Sequence, residues 1–321
     1  MTLSDLFAKK DHVLFLDGGL ASELERNGND LNHFLWSGIV LINNPEEIEK
    51  VHLSYLNSGV NIITTSSYQL CTQGLMNYGL SQIEAEKIMV KSVLIAFQSI
   101  DTYKKIDPHF NRELGVAISL GCYGAFLHDG SEYNGNYTIS DEDLIEFHYK
   151  RICIYQKYSY LWKDKNYIYA FETIPNQREA HCIIKAINKS RAPFPCWISF
   201  ACCDASHINS NESIIDIIDT INICQDVKAV GVNCTNPKYI LNLIQIIKQK
   251  WNKRIIVYPN LGEDWDKEKQ EYVIHSGIQS IKEYALLAES WYHEGATLLG
   301  GCCRTTPEII KEVIHTISKD I

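Results

Sequence analysis

Eight short apolar runs, each followed by a helical pattern, predict that this chain of 321 residues folds as a single (β/α)8 barrel. The runs are almost continuously hydrophobic, which is typical of parallel strands that are buried on both faces. Eight strand–helix repeats favour this closed α/β architecture, the TIM barrel, over a doubly wound open sheet. We therefore expect one domain across residues 1–321, with its active site at the carboxyl ends of the strands.

The predicted strands are rich in Val, Ile and aromatic residues, which favour extended backbone. In chain order they are residues 13–17, 61–66, 115–120, 167–171, 196–200, 229–233, 254–258 and 296–299. Long insertions follow the third, fifth and seventh strands, at residues 126–137, 204–212 and 262–280. Because these segments leave the carboxyl ends of strands, we expect them to form loops over one mouth of the barrel.

Several helices carry start and stop signals with a clear physical basis. Asn44 is a capping residue before Pro45, which suits the first turn of a helix, and Gly59 can end that helix. Ser81 followed three residues later by Glu84 fits a capping box, in which two side chains satisfy free backbone amides.

The composition excludes some classes of partner. The formal net charge of -9 argues against a nucleic acid or an anionic membrane, because both bind basic surfaces. Residues 1–10 lack the apolar core of a signal peptide, and no apolar stretch approaches membrane-spanning length. Eleven cysteines without a secretory signal indicate reduced thiols, so we expect a cytoplasmic protein. The composition carries no prediction of the oligomeric state.

Polar residues and cysteines follow most of the predicted strands. They are Asp17, Gly18, Gly19, Tyr68, Cys122, Tyr123, Glu172, Cys202, Cys203, Cys234, Cys302 and Cys303. In a barrel, the carboxyl ends of all strands meet at one face. We therefore expect these residues to converge on one pocket although they are scattered in sequence.

Three of these cysteines have the pattern of a metal site. Cys234 follows the sixth strand, and the adjacent pair Cys302 and Cys303 follows the eighth. Thiolates suit zinc, and three protein ligands leave a fourth tetrahedral position open for chemistry. Adjacent residues of a regular strand point to opposite faces, but Gly300 and Gly301 give the backbone freedom to turn both sulfurs toward one ion.

A second adjacent pair provides an alternative. Cys202 and Cys203 also stand at a strand end and could combine with Cys234 in the neighbouring strand. This pair lacks the preceding glycines, so it ranks below the later one. The residues also allow the simpler interpretation that cysteines fill strand ends as small apolar side chains.

Five stretches, taken together, resemble the homocysteine S-methyltransferase family. They are residues 16–28, 65–69, 171–175, 231–234 and 300–307, and they occur in the family's order within a resemblance that extends from about residue 14 to 310. The family consists of zinc-dependent (β/α)8 barrels. The resemblance therefore implies one Zn²⁺ ion per chain, with Cys234, Cys302 and Cys303 as its ligands and catalytic residues, and it implies no role for Cys202 and Cys203.

The resemblance also implies the reaction. It is closest to stand-alone enzymes that methylate homocysteine from a sulfonium donor, and we expect S-methylmethionine as that donor. S-Adenosylmethionine as main donor and a selenocysteine or selenohomocysteine acceptor are the nearest alternatives, and a non-catalytic homocysteine or zinc sensor is a further one. A free thiol has a pKa of roughly 8.5, and coordination to zinc removes its proton at neutral pH.

The amino-acid end of homocysteine needs its own binding groups. The backbone amides of Gly18 and Gly19 could accept its carboxylate, because glycine permits close approach and a helix follows. Asp17 and Glu172, each at a strand end, could hold its ammonium group. The family's binding pattern agrees at these matching positions.

Aromatic residues are expected near the donor. Tyr68 matches a tyrosine that, in the related betaine enzymes, occupies the empty zinc position when substrate is absent. Trp36 matches a family tryptophan near the donor, where a sulfonium can lie over an aromatic face as an ammonium does. Tyr123 and Glu132 are further donor-side candidates, with ordinary packing as the alternative for the aromatic residues.

Overall fold

Eight parallel strands form the barrel in this computed structural model, which describes residue 7 and residues 12–262, 264–266, 271–273 and 277–319. The strands are β1 Leu14–Phe15, β2 Ile62–Thr64, β3 Gly115–Gly121, β4 Tyr167–Ile174, β5 Cys196–Phe200, β6 Val227–Asn233, β7 Arg254–Tyr258 and β10 Ala296–Leu299. In the sequence, β7 and β10 are separated by an antiparallel pair, β8 Asp264–Asp266 and β9 Glu271–Val273.

Twelve helices are described around and above these strands. They are α1 Leu20–Arg26, α2 Ser37–Asn43, α3 Pro45–Ser58, α4 Thr72–Asn77, α5 Gln82–Ile106, α6 Tyr123–Leu127, α7 Asp141–Tyr158, α8 Gln177–Ser190, α9 Ile214–Asn222, α10 Ile240–Lys248, α11 Ile281–Glu294 and α12 Pro307–Ile317. Short 3-10 turns occur at Ser131–Tyr133, Ser159–Leu161 and Pro237–Tyr239. Within the described ranges, every helix is too short or too polar to cross a lipid bilayer.

The strand order closes the barrel. Neighbouring strands run β1-β10-β7-β6-β5-β4-β3-β2. A parallel bridge between Leu16 and Ile62, with a hydrogen bond from the Asp17 amide to the Ile62 carbonyl (3.1 Å), joins the first strand to the second. The predicted (β/α)8 barrel is therefore confirmed, whereas a single domain across residues 1–321 stays a prediction.

All eight predicted strands are present, with differences at their ends. β4 runs to Ile174, beyond the predicted residue 171, because Thr173 adopts a positive φ of 59° and the pairing with β5 shifts register there. β1 is shorter than predicted, and beyond it Leu16 forms only an isolated parallel bridge to Ile62.

The insertions carry local structure that the sequence did not predict. Residues 126–137 include the end of α6 and a 3-10 turn, and residues 262–280 include the β8–β9 pair. Residues 263, 267–270 and 274–276 of the last insertion lie outside the described residues, as do residues 1–6 and 8–11.

The predicted helix signals agree with the structure in most respects. Ser81 and Glu84 form both bonds of a capping box, and Gly59 ends α3 with a φ of 107°. Asn44 stands at the cap position before Pro45, but its side chain makes no capping bond.

Gly231 shows how closely β6 and β7 pack. It pairs with Ile256, and a Cβ atom at this position would lie 1.7 Å from the Ile256 carbonyl oxygen. We predict that Gly231→Ala lowers the free energy of unfolding by about 3 kcal/mol or more, because backbone and not a flexible side chain would have to move. Urea denaturation measures this change.

Gly74 provides the matched control. It lies inside α4, and a Cβ atom there would make ordinary contacts of 3.5 and 3.6 Å with Phe126 and Cys71. Gly74→Ala should keep or raise stability, by about 0.5–1 kcal/mol, because alanine favours a helix more than glycine does. Equal losses for the two variants would contradict the packing argument.

Candidate active site

One cavity of about 640 Å³ opens at the carboxyl ends of the strands. Its wall combines carboxylates, hydroxyls, aromatic rings and thiols from segments that are far apart in sequence. Lining residues include Asp17, Gly18, Gly19, Trp36, Ser66, Tyr68, Gln69, Glu132, Glu172, Thr173, Cys234, Tyr258, Cys302, Cys303 and Arg304. The predicted convergence of strand-end residues on one pocket therefore occurs for most of them.

The sulfur atoms of Cys234, Cys302 and Cys303 form a compact group. Cys303 Sγ lies 3.7 Å from Cys234 Sγ and 3.9 Å from Cys302 Sγ, and all three sulfurs lie within 4.8 Å of one another. Zinc–sulfur bonds of ~2.3 Å in a tetrahedron place sulfurs ~3.8 Å apart. In the described part of the chain this is also the one group of three or more His, Cys, Asp or Glu ligand atoms placed closely enough for a metal.

Backbone geometry at two turns aims these sulfurs. Cys234 follows β6 with a φ of 48°, and its amide donates to the Tyr258 carbonyl oxygen (3.2 Å). The Cys302 amide donates to the Pro259 carbonyl oxygen (2.9 Å). Thr305 closes the second turn, since its amide and hydroxyl both donate to the Cys302 carbonyl oxygen at 3.2 and 2.6 Å.

Gly300 and Gly301 have a different role from the expected one. Neither has a positive φ, so they do not supply unusual backbone freedom. A Cβ atom at Gly301 would instead lie 2.0 Å from Thr305 Oγ1, and one at Gly300 would lie 2.7 Å from Leu16 Cβ. The two glycines allow the turn to pack tightly, and the left-handed conformations fall on Cys234 and Arg304.

One of the three thiols, that of Cys303, readily loses its proton. Hydrogen bonds from the Cys234 and Cys302 thiols lower the pKa of Cys303 well below its usual range. The alternative pair lies elsewhere: Cys202 is buried, and Cys203 Sγ donates to the Ile208 carbonyl oxygen at 3.1 Å. Neither lines the cavity.

Asp17 is a buried carboxylate at the end of β1. Its Oδ2 accepts from the Thr64 amide (2.6 Å), and its Oδ1 accepts from the Thr64 hydroxyl (2.8 Å). Burial raises the pKa of Asp17 to about 7, and the charge of Glu172 adds to this effect.

Glu172 lies in β4 and is equally buried. Its Oε1 accepts from the Ser119 hydroxyl, and its Oε2 accepts from the Tyr258 hydroxyl at 3.1 Å. Burial raises the pKa of Glu172 to about 7, and the nearby charge of Cys303 contributes. Among the described residues, the donors to Asp17 and Glu172 are an amide and hydroxyls. The two carboxylates share the cavity with the thiols, which is an environment that favours a cation.

Sequence reasoning missed the groups that hold these carboxylates. Tyr258 ends a predicted strand and could have been found by the same strand-end rule, since its hydroxyl links Glu172 to Trp197 Nε1 (3.1 Å). Ser119 lies inside β3, and no sequence signal distinguishes it from its neighbours.

The structure bears differently on the two glycines of the expected carboxylate site, both of which line the cavity. The Gly19 amide already donates to the Thr305 carbonyl oxygen (3.1 Å), so it is not free to bind a substrate. A Cβ atom at Gly18 would lie 2.3 Å from the same oxygen, and one at Gly19 would lie 2.6 Å from the Cys302 carbonyl oxygen. Both glycines pack closely against the cysteine turn, and binding of the homocysteine carboxylate by the Gly18 amide stays a prediction.

The structure separates the expected aromatic residues. Trp36 and Tyr68 line the cavity with ring centroids 6.1 Å apart. Tyr123 does not line it, and its ring packs against Phe126, Tyr137 and Phe147 at 5.0–5.6 Å. The structure thus supports the packing interpretation for Tyr123 and not a donor-side position.

The site is a cavity with three clustered thiols at the mouth of a (β/α)8 barrel. This arrangement is typical of the class of proteins whose cysteines can hold a metal ion beside a small substrate. A family model described as homocysteine S-methyltransferase matches residues 14–317. The chain belongs to the homocysteine S-methyltransferase family.

Known relatives agree over nearly the whole chain. Homocysteine S-methyltransferase 2 of Zea mays is 41% identical over 314 residues, covering 95% of this chain and 90% of its own. Selenocysteine Se-methyltransferase of Brassica oleracea var. italica is 40% identical over 323 residues, covering 97% and 91%. The metallated form of the homocysteine methyltransferase MmuM from Escherichia coli has a TM-score of 0.83 at 32% identity, covering 99% of each chain.

The raised pKa of Glu172 predicts a cost in stability. A carboxyl group whose pKa is higher in the folded than in the unfolded state stabilises the fold at acid pH, and this contribution is lost as the pH rises from about 4 to about 7. We predict that Glu172→Gln raises the free energy of unfolding by about 1–3 kcal/mol at pH 8 and much less at pH 5. Urea denaturation at the two pH values tests this, and an equal gain at both would contradict it.

Proposed function

We propose that this protein is a zinc-dependent enzyme that transfers a methyl group from S-methylmethionine to homocysteine and so forms two molecules of methionine. The observation that carries the proposal is the group of three sulfurs, 3.7 and 3.9 Å apart, on the wall of a cavity with two buried carboxylates. Family membership and the relatives named above support the acceptor.

The three thiols suit zinc in number and in chemistry. Soft sulfur ligands favour zinc over the oxygen-seeking Mg²⁺ and Ca²⁺, and the sulfur separations agree with a tetrahedral site. When bound by Cys234, Cys302 and Cys303, zinc supplies an open position that lowers the pKa of a substrate thiol. The metallated form of the Escherichia coli relative supports a metal at this kind of site.

The protein's own residues bind and orient the acceptor. Asp17 and Glu172 present carboxylates to the ammonium group of homocysteine, and hydrogen bonds from Thr64, Ser119 and Tyr258 hold those carboxylates in place. A bound ammonium favours the ionised form of both acids, which otherwise titrate at about 7 because they are buried. The positive charge of the substrate therefore offsets the free-energy cost of burying these two carboxylates.

The donor brings a positive sulfonium toward a negative group of sulfurs. Opposite charges attract more strongly where water is excluded, and they partly cancel as the methyl group moves. The rings of Trp36 and Tyr68 line the same cavity, and aromatic faces bind cations of this kind. Alignment of donor methyl and acceptor sulfur contributes further through proximity.

Two variants of the reaction use the same residues. S-Adenosylmethionine carries the same sulfonium and amino-acid end as S-methylmethionine, and selenocysteine is an acceptor related to homocysteine. The selenocysteine relative of Brassica oleracea var. italica, at 40% identity, favours the second variant as an additional activity. Turnover assays with each donor and acceptor rank these substrates, and binding of homocysteine without any turnover would favour a sensor.

The free state of all eleven cysteines supports a reducing, cytoplasmic setting.

Removal of a metal ligand tests the centre of the proposal. Cys302→Ala and Cys234→Ala should each lose most bound zinc and nearly all activity while the barrel stays folded. Cys203→Ala is the matched control, because Cys203 is an exposed cysteine that does not line the cavity. Less than about half an equivalent of zinc in the reduced wild-type protein, or activity that survives either substitution, contradicts the proposal.

Glu172 separates acceptor binding from metal binding. Glu172→Gln should keep zinc and raise the KM for homocysteine about tenfold or more, because a charge-assisted hydrogen bond to the ammonium is lost. The KM for S-methylmethionine should change little. Steady-state kinetics with zinc analysis measures both, and an unchanged KM for homocysteine would exclude Glu172 from the acceptor site.

A further inference from the structure

Glu132 stands in the cavity wall on a loop with a well-fixed backbone. It lies in the 3-10 turn that follows α6, where the Gly135 amide donates to the Ser131 carbonyl oxygen (2.7 Å). Asn209 Nδ2 donates to the Glu132 carbonyl oxygen (3.3 Å). A Cβ atom at Gly124 would lie 2.5 Å from the Glu132 amide nitrogen, so α6 and this turn are in close contact.

A deeper network fixes the same loop from behind. Glu179 accepts from the Tyr123 amide (2.6 Å) and from the Tyr137 hydroxyl, at the two ends of the loop. It also lies 2.9 Å from His148 Nε2, and all of this acid's side chain is buried. The position of Glu132 is therefore set by packed structure and not by a free surface segment.

The carboxylate of Glu132 lacks a protein partner on one side. Its Oε2 is buried and accepts no hydrogen bond from any described residue, and burial raises the pKa of this acid. A buried acceptor without a donor costs free energy, and a charged one costs more. Since Glu132 lines the cavity, a molecule within the cavity can supply the missing donor.

Gln69 presents a second acceptor of the same kind. Its Nε2 donates to the Ala125 carbonyl oxygen (3.1 Å), which fixes the orientation of the amide because that carbonyl cannot donate. Its Oε1 is then the acceptor, and it is also buried with no partner among the described residues. Gln69 lines the cavity as well.

Glu132 and Gln69 have different electrostatic neighbours from the two acids that are proposed to bind homocysteine. Glu172 is close enough to Cys303 for that charge to raise its pKa, and Asp17 is affected by Glu172. Glu132 is instead among the charges that raise the pKa of Tyr68, after burial and Cys122. Glu132 thus acts on Tyr68, and the ring of Tyr68 lies 6.1 Å from that of Trp36 between centroids.

The chemistry of the two oxygens selects the group that fits them. A sulfonium has no N–H or O–H to donate, so it cannot satisfy a buried carboxylate and an amide oxygen. An ammonium has three donors and a positive charge. Homocysteine has one ammonium, which Asp17 and Glu172 take in the proposed function, and the sulfonium donor has the other.

We propose that Glu132, together with Gln69, binds the ammonium group of the methyl donor and thereby selects sulfonium compounds that carry an amino-acid end. The inference rests on the proposed function for the chemical class of the donor. In this arrangement Glu132 holds the amino end of the donor while the sulfonium lies over the aromatic rings. Sulfonium compounds without an amino group bind without this contribution.

Two ligands and three variants test the proposal in the zinc-loaded full-length protein. The ligands are S-methylmethionine and 4-dimethylsulfoniobutanoate, which is the same molecule without the amino group. The variants are Glu132→Gln, which keeps the shape and removes the charge, Glu132→Ala, and Glu142→Gln, which makes the same change at an exposed position outside the cavity wall. Equilibrium dissociation constants are measured first, and KM values for donor and homocysteine second.

Glu132→Gln should raise the dissociation constant of S-methylmethionine about tenfold or more, because a charge-assisted contact is lost. The dissociation constant of the analogue without the amino group and the KM for homocysteine should stay within about twofold of wild type. Glu142→Gln should match wild type throughout. Glu132→Ala should repeat the pattern of Glu132→Gln, and zinc content and thermal unfolding confirm that each variant is folded.

Several outcomes overturn the proposal. Unchanged binding of S-methylmethionine removes Glu132 from the donor site, and equal weakening of both ligands means that it acts on the sulfonium charge. A raised KM for homocysteine assigns Glu132 to the acceptor. A wild-type protein that does not bind S-methylmethionine also overturns it, whereas one that binds it without transferring methyl refutes the proposed function and leaves the inference standing.

Discussion

The close contact between two backbone turns is the constraint on which the site depends. The turn after β1 and the cysteine turn after β10 approach so closely that Gly18, Gly19 and Gly301 have no room for a Cβ atom. The Thr305 carbonyl oxygen joins them, because it accepts from the Gly19 amide (3.1 Å) and the Tyr55 hydroxyl (2.8 Å). This contact places two adjacent cysteines so that both sulfurs face the third, and it brings Asp17 to the same cavity.

The buried acids of this cavity lower the stability of the fold when they are ionised. Asp17, Glu172 and Glu132 are acids whose pKa is raised mainly by burial, and they share a cavity with Cys303, whose pKa is lowered by hydrogen bonds from the other two thiols. Such a cavity is matched to ligands that carry positive charge at several points. An amino-acid sulfonium and an amino-acid thiol together provide one sulfonium and two ammonium groups, so the binding of both substrates relieves most of the buried charge.

Much of the architecture followed from patterns that are local in sequence. Eight apolar runs of the correct length, each beside a helical pattern, predict a barrel because burial on both faces leaves a continuous hydrophobic signal. The family resemblance implied the three cysteines, which the barrel alone left in competition with Cys202 and Cys203. Gly300 and Gly301 indicated the correct turn. The role expected for them was conformational freedom, whereas the structure shows that they allow close packing.

The sequence by itself determined the strands, the face on which the site lies and most of the residues at the strand ends, because periodicity and residue type encode burial and position. Only the tertiary structure decided which polar groups have partners. The engagement of the Gly19 amide by Thr305 and the hydrogen bonds of Ser119 and Tyr258 to Glu172 join segments far apart in the chain. The same long-range packing leaves one oxygen each of Glu132 and Gln69 without a partner among the described residues. Hydrogen bonding depends on distance and direction in space, which no local pattern records.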